Sequence, residues 1–303
     1  MLGGVLLALP PVLGPLRTEL LATYLAFALV AVGLDLTWGY AGILSIGHFA
    51  FFGIGAYSVA LLTTRIADAD ASLLPLFVLA GTALAGLAGT LLAAIFFALR
   101  LRELFVLVTI AFAVVAEKLA VAETDFLGGI NGISMPYWVV PEDMTGYFRI
   151  VVVAVATTLA GCYRLSRLPF GRVLLAIRDS EPRAEALGYR TGAIKVVVFG
   201  VGSAIAGLGG GLYAILTGFV SPSLLGFEPS FDAVVWMMFG GIGTLWGPIL
   251  GVLALNFVKL YVSGVLLDYW PIAIGLLFIV VVLFLPGGMA SLVRRALPGR
   301  ARA

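Results

Sequence analysis

Leu34–Tyr57 reads LDLTWGYAGILSIGHFAFFGIGAY. Asp35 and the chain's single histidine, His48, stand inside a run otherwise apolar enough for lipid. Ionisable side chains at membrane depth are costly, and they usually face a packed bundle interior or a polar pathway. The first question raised by this stretch is therefore one of fold: what shelters a carboxylate and an imidazole there.

The surrounding composition answers in outline. The 303 residues are 62% hydrophobic and 11% charged, with a mean hydropathy of +1.14. A soluble domain is nearer half apolar and a quarter charged. Apolar runs lie near 2–15, 19–37, 41–62, 72–98, 104–122, 148–163, 193–218, 231–242, 246–264 and 271–290. At about 1.5 Å per helical residue, the long runs cross a hydrocarbon core of about 30 Å. The expectation is one all-α polytopic membrane domain over 1–303, with about ten transmembrane helices. The run 231–242 is barely half a span; a re-entrant course is tolerated only under cover of protein or a water-filled cavity. The run 2–15 holds Pro10, Pro11 and Pro15 and no basic leader, so it reads as a short first span rather than a signal peptide. Cys162 is the only cysteine, which excludes an intrachain disulfide and a cysteine metal cluster.

Orientation follows from the basic residues. Segments 99–103, 164–195 and 291–303 carry 13 of the 18 lysines and arginines. The opposite side is acidic, with Asp68, Asp70, Glu123, Asp125, Glu142, Asp143 and Glu228 opposed by Arg17, Arg65 and Arg149. Ten spans place every basic segment on one face, which is then cytoplasmic together with both termini.

Small residues suggest where helices touch. Gly207/Gly211 and Gly247/Gly251 have GxxxG spacing, and Ala85/Gly89 is an analogue; such pairs let helix backbones approach closely in lipid. GTALAGLAGTLLA (81–93) also matches GSAIAGLGGGLYA (202–214) at eight of thirteen positions. These spans run oppositely in the expected topology. They fit either an inverted repeat of the transporter kind or convergence of two Gly/Ala-rich helices.

The most polar stretch is RLPFGRVLLAIRDSEPRAEALGYRTGAIK (167–195). Residues 171–178 have the apolar spacing of a short helix. Asp179 or Ser180 caps a second, Pro182 suits its first turn, and Gly188 ends it. A lipid-surface anchor would use the arginines on anionic headgroups, but the interleaved acids oppose that. A mere connection needs far fewer residues. A docking surface for a soluble partner accounts for the mixed charges and is the favoured reading.

These motifs together resemble the permease subunit of ABC importers for branched-chain amino acids, the LivM-type family. The resemblance is carried by 34–57, the 167–195 loop, GGINGIS (128–134), FGGIGTLWGPILG (239–251) and LFLPGGM (283–289). LDLTWGY, FGRVLLAIRDSEPR, VVW (234–236) and LNFVK (255–259) are similar to the related urea-type permeases, so urea or a short amide is the alternative solute. The resemblance implies a type II-like half-transporter in a bacterial inner membrane. It implies a second similar permease subunit, two cytoplasmic ATP-binding subunits and an extracytoplasmic substrate-binding protein. ATP and magnesium would sit on the ATPase partners, with no cofactor, metal or nucleic acid on this chain. The ATPase-coupling loop would comprise Phe170, Gly171, Arg172, Ala176, Ile177, Arg178, Asp179, Glu181, Arg183, Ala186 and Gly188. Gly129, Asn131 and Gly132 are candidates for contact with the binding protein.

The residues themselves add limits. No G-x-x-x-x-G-K-[ST] motif occurs, so this chain lacks a P-loop phosphate cradle. A lone histidine builds no metal site, and no clustered acid, base and nucleophile supports an intramembrane enzyme. A self-contained secondary transporter or channel is the rival from another class. Glu117 and Lys118 diverge by about 100° on a helix, so each needs its own partner or a boundary position, while Lys259 is suited to snorkel outward. Candidates for the translocation pathway are Asp35, Gly39, Tyr40, Ser45, His48, Gly240, Gly241 and Thr244, because glycine-rich breaks at 39–42, 128–132 and 240–243 expose backbone polar groups.

Overall fold

The computed structural model describes residues 14–66, 70–98 and 104–262, with a few isolated positions beyond them. The expected spans 2–15 and 271–290, the basic segments 99–103 and 291–303, Asp68 and the LFLPGGM motif lie wholly or largely outside the described residues.

Helix α1, Pro15–Leu34, begins on a proline, whose fixed φ suits a first turn. It runs into a π-helical turn, Asp35–Tyr40. Then come α2 (Phe49–Arg65), α3 (Leu74–Ala98), α4 (Phe105–Ala122) and the short α5 (Thr124–Leu127). A two-residue strand β1 (Ile133–Ser134) precedes α6 (Met144–Arg167), α7 (Pro169–Asp179), α8 (Glu181–Ala186) and α9 (Thr191–Thr217). The described chain continues through β2 (Phe219–Val220), α10 (Phe227–Gly240) and α11 (Gly247–Val262). β1 and β2 pair antiparallel, Ile133 opposite Val220 and Ser134 opposite Phe219.

Among the described residues, five helical stretches are long and apolar enough to cross a membrane: Leu16–Tyr40, Ala71–Phe97, Phe105–Ala122, Met144–Arg167 and Thr191–Thr217. Phe49–Arg65 and Gly247–Leu260 are shorter apolar helices. Leu76, Leu79, Leu84, Leu87, Leu91 and Ile95 stand exposed along α3. In water such a stripe would be a sticky patch; against lipid it is the required surface.

The core forms around α9, and glycine is the reason. A Cβ added at Gly202 would lie 2.5 Å from Thr37 Cγ2 and 2.8 Å from the Gly33 carbonyl, and one at Gly209 would lie 2.6 Å from the Ala26 carbonyl. As α9 advances its α1 partner recedes, so the two helices are antiparallel. α3 behaves likewise, with Gly211 against Val78, Gly207 against Ala85 and Gly200 against Thr90. The similar segments 81–93 and 202–214 therefore pack on each other head to tail. Phe27, Phe49, Phe52, Tyr213 and Trp236 interlock beside this crossing, with Phe27 stacked on Trp236 at 5.6 Å and on Tyr213 at 5.5 Å. Close packing supplies dispersion contacts where lipid leaves little hydrophobic drive between helices.

Two expected spans differ in their boundaries. The run 41–62 does not begin as a helix; 42–48 is irregular and α2 starts at Phe49. Gly42 has φ 72°, Ile43 N–H turns back to the Thr37 carbonyl at 2.9 Å, and Thr109 Oγ1 accepts Ile46 N–H at 3.2 Å. The half-span 231–242 is α10, which begins earlier, at Phe227. Its Ser230 hydroxyl accepts Phe49 N–H at 3.2 Å and donates to the Gly226 carbonyl at 2.9 Å. Its start thus sits beside the start of α2, with Leu225 packed on Gly53. α10 then turns back through Gly240 and Gly247 into α11, whose Gly251 rests on the Trp236 carbonyl.

Candidate functional site

The π-helical turn widens α1 by one residue and brings the Asp35 carboxylate, fully buried, onto the loop between α10 and α11. Asp35 Oδ1 accepts Gly243 N–H at 2.5 Å and Oδ2 accepts Leu245 N–H at 2.8 Å. The loop needs such a partner. Gly241 and Gly243 have φ of 117° and 75°, and Leu245, at 58°, is the one non-glycine residue with positive φ among those described. A left-handed leucine costs about 1–3 kcal/mol and persists where its surroundings hold it. Thr244 completes the loop by donating to the Gly241 carbonyl at 2.7 Å and accepting Gly247 N–H at 3.1 Å. A Cβ on Gly39 would lie 2.7 Å from Gly243 N and would overlap Asp35 Oδ1; only glycine lets the two breaks meet.

A third element joins them. Arg178, at the end of α7, donates through Nη1 to the Gly39 carbonyl at 2.6 Å. Its Cγ would stand 3.2 Å from a Cβ on Gly42, and Asp179 pairs with its Nη2 at 3.4 Å. The structure therefore brings Asp35, Gly39, Gly240, Gly241 and Thr244 into one junction, with half-buried Tyr40 at its edge, and adds Arg178 from the polar loop.

The α7–α8 hairpin has the helices expected of it but not the expected cap bond: Ser180 stands at the N-cap of α8 with no side-chain cap hydrogen bond, and Asp179 is the last residue of α7. Pro182 lies in the first turn of α8, and Gly188 follows its end with φ 90°. Tyr189 N–H reaches back to the Ala184 carbonyl at 3.2 Å, the bond that closes a glycine-terminated helix. Gly171, Leu174, Ile177 and Ala184 are buried, so Gly171 and Ile177 serve packing rather than the outer face. Gly171 fits tightly on the Ser166 backbone. Arg172, Ala176, Asp179, Arg183, Ala186 and Gly188 stand exposed, Phe170 and Glu181 less so. The hairpin is pinned to the base of α9: Lys195 Nζ pairs with Glu181 Oε2 at 2.6 Å, both side chains largely buried, and Thr191 Oγ1 donates to Glu185 Oε1 at 2.8 Å. Sequence reasoning missed Lys195 and Thr191 as anchors. It also missed Leu187, 73% exposed, and Tyr189, 45% exposed, apolar groups at the hairpin tip. Their adjacency to Gly188 was the available signal.

His48 is not part of the junction. It precedes α2, fully buried, between the rings of Phe51 at 5.6 Å and Phe199 at 5.7 Å. Among the described residues the buried Ser45 hydroxyl meets no hydrogen-bond partner, and the His48 imidazole has the Gly202 carbonyl beside it as its polar neighbour, outside close hydrogen-bond geometry. Lys259 does not simply reach outward: it faces Asp232 across the α10–α11 hairpin, Nζ to Oδ2 3.7 Å.

On the opposite end, Gly128, Gly129 and Gly132 all have positive φ. They fold GGINGIS against β2, where Met135 N–H donates to the Gly218 carbonyl at 2.8 Å. The arrangement leaves Ile130 79% and Tyr137 91% exposed. Beside them a cavity of about 760 Å³ opens between α3, α6, α9 and the 137–142 loop, lined by Val78, Trp138, Tyr147, Leu208 and Leu212 with Glu142 as its acid. None of the eight sequence-nominated pathway residues lines it.

Residues 16–285 match the family described as branched-chain amino acid transport system / permease component. The high-affinity branched-chain amino acid transport system permease protein LivM of Salmonella typhimurium is 29% identical over 301 residues, covering 88% of this chain and 68% of that protein. Its Escherichia coli counterpart is equally similar. The probable branched-chain amino acid transport permease protein LivM of Methanocaldococcus jannaschii is 27% identical over 278 residues, covering 80% of this chain and 79% of its own length. No solved structure matches the chain.

Proposed function

Because this chain belongs to the branched-chain amino acid transport permease family, we propose that it is the membrane-spanning subunit of an ABC importer that moves branched-chain amino acids inward. The observation that carries the proposal is the family match across residues 16–285, supported by a helical bundle with lipid-suited outer faces. The translocation route forms between this chain and a second, similar permease. The full topology has about ten spans with both termini cytoplasmic, and the antiparallel packing of 81–93 on 202–214 supports an inverted repeat at its centre.

The outer face of the α7–α8 hairpin, with Arg172, Arg183, Leu187 and Tyr189, is the docking surface for a cytoplasmic ATPase. Its mixed basic and apolar character suits a protein partner. Nucleotide and magnesium are held by that partner. The glycine turn 128–134 and exposed Ile130 receive the solute-loaded binding protein at the other end. The polar breaks at 35–42 and 241–246 act as a hinge, since their freed backbone groups are already taken by Asp35, Thr244 and Arg178.

The test is reconstitution of the chain with its partner permease, ATPases and binding protein in liposomes. ATP-dependent uptake of leucine, isoleucine or valine is expected. Uptake by this chain alone without ATP would establish the secondary-transporter reading, and ATP-driven uptake of urea in place of amino acids would reassign the solute.

A further inference from the structure

Arg178 is a coupling-loop side chain whose hydrogen bond reaches into a membrane-helix break. Its Nη1 lies 2.6 Å from the Gly39 carbonyl, a contact between residues 139 apart in sequence. That carbonyl belongs to the π-helical turn, where widened pitch leaves backbone acceptors available for an outside donor. Four residues earlier in the same turn, Asp35 grips Gly243 and Leu245. The chain of contacts is therefore continuous: α7, Arg178, Gly39, the π-turn, Asp35, and the left-handed loop that joins α10 to α11. The links between separate elements are hydrogen bonds, 2.6 Å at Gly39 and 2.5 and 2.8 Å at Gly243 and Leu245, and the last holds a strained backbone. Gly42 and Gly243 lie against the Arg178 side chain, so larger residues there would push the guanidinium away.

We infer that Arg178 is a positioning residue that conveys movement of the α7–α8 hairpin to both helix breaks at once. This rests on the importer reading. While the hairpin is seated, Arg178 holds the π-turn and, through Asp35, the α10–α11 loop in a single arrangement. When the ATPases shift α7 by a few ångströms, the Gly39 carbonyl loses its donor. The turn and the loop then change together, because Asp35 belongs to both. The anchors Lys195–Glu181 and Thr191–Glu185 pin α8 to the base of α9, and Glu181 stands three residues beyond Arg178, so movement of the hairpin bears on the Arg178 contact directly. Two discrete arrangements of a packed element are what coupling between distant sites requires.

The experiment uses the complete importer in liposomes and measures solute uptake and phosphate release in the same sample. Arg178→Gln is expected to lower solute moved per ATP about tenfold, a typical size for coupling between sites, while the ATPases still co-purify. Arg178→Lys, which keeps a cationic donor on a flexible stem, is expected to recover most of that ratio. An unchanged ratio in Arg178→Gln overturns the inference. So does loss of ATPase co-purification in Arg178→Gln, which would make Arg178 a docking contact. If the unaltered complex moves no solute with ATP, the importer reading itself fails, a result distinct from either.

Discussion

The carboxylate of Asp35 holds the N–H of Leu245 at 2.8 Å across 210 residues of sequence, and Leu245 carries a left-handed backbone, φ 58°. The two facts explain each other. The loop between α10 and α11 presents its N–H groups in one direction because Leu245 is turned over, and it stays turned over because a buried acceptor takes them.

Removing that acceptor has a calculable cost. Hydrogen bonds to a charged group contribute about 1.5–3 kcal/mol each, and the orphaned N–H groups would remain buried. Asp35→Ala is expected to destabilise the purified protein by about 3–5 kcal/mol, read as a large drop in thermal unfolding temperature in detergent. Asp35→Asn, with a single acceptor oxygen, is expected to fall between. A melting curve for Asp35→Ala within a degree of the parent would show that the loop does not depend on it.

Glycines separate into those that touch and those that do not. Gly202→Ala places a methyl against Thr37 and the Gly33 carbonyl and is expected to cost about 1–3 kcal/mol through overpacking. Gly161, on α6, has nothing within 4 Å of an added Cβ. Gly161→Ala is expected to stabilise by about 0.5–1 kcal/mol through helix propensity. Thermal stability of the two variants side by side checks the sign of both.

His48 sits among aromatic rings, with the Gly202 carbonyl as its polar neighbour and away from the Asp35 junction. His48→Phe adds volume at a fully buried position and is expected to cost about 1–3 kcal/mol through overpacking, while ATP-driven uptake per assembled complex is preserved. Abolished uptake in a variant that folds and assembles would assign the imidazole a part in the route.

At the other face, Ile130 and Asn131 project from a turn whose backbone is fixed by three glycines and by β2. Replacing both with alanine is expected to leave ATP hydrolysis by the empty complex intact. Stimulation by loaded binding protein is expected to fall about tenfold, the loss of roughly 1.4 kcal/mol of interface energy. An unaltered stimulation curve would place the docking elsewhere.

Much of this was legible in the residues. Hydropathy locates α1, α3, α4, α6 and α9 to within a few positions, because a helix that spans lipid must be apolar along its length. Pro182 and Gly188 mark the bounds of α8 through local conformational limits that need no partner. The GxxxG pairs mark true close approaches, Gly207 on Ala85 and Gly251 on Trp236. What escaped is what depends on distant contacts. The π-turn at 35–40 exists because Asp35 meets a loop over two hundred residues away, and no local periodicity announces it. The start of α2 at Phe49 depends on Ser230 and Thr109. Lys259 looks like a snorkelling lysine until the α10–α11 hairpin sets it opposite Asp232. Arg178 stood out as a charge of the polar loop; its inward turn to Gly39 required the fold.

The hairpin carrying Arg178 is expected to lie in the cytoplasm against an ATPase. With buried Cys162 replaced by alanine, a single cysteine at the exposed tip, Leu187→Cys, tests this in intact cells. An impermeant maleimide is expected to leave it unlabelled from outside, to label it once the membrane is opened, and to lose access when the ATPases are bound. Labelling from the outside of sealed cells would contradict the account.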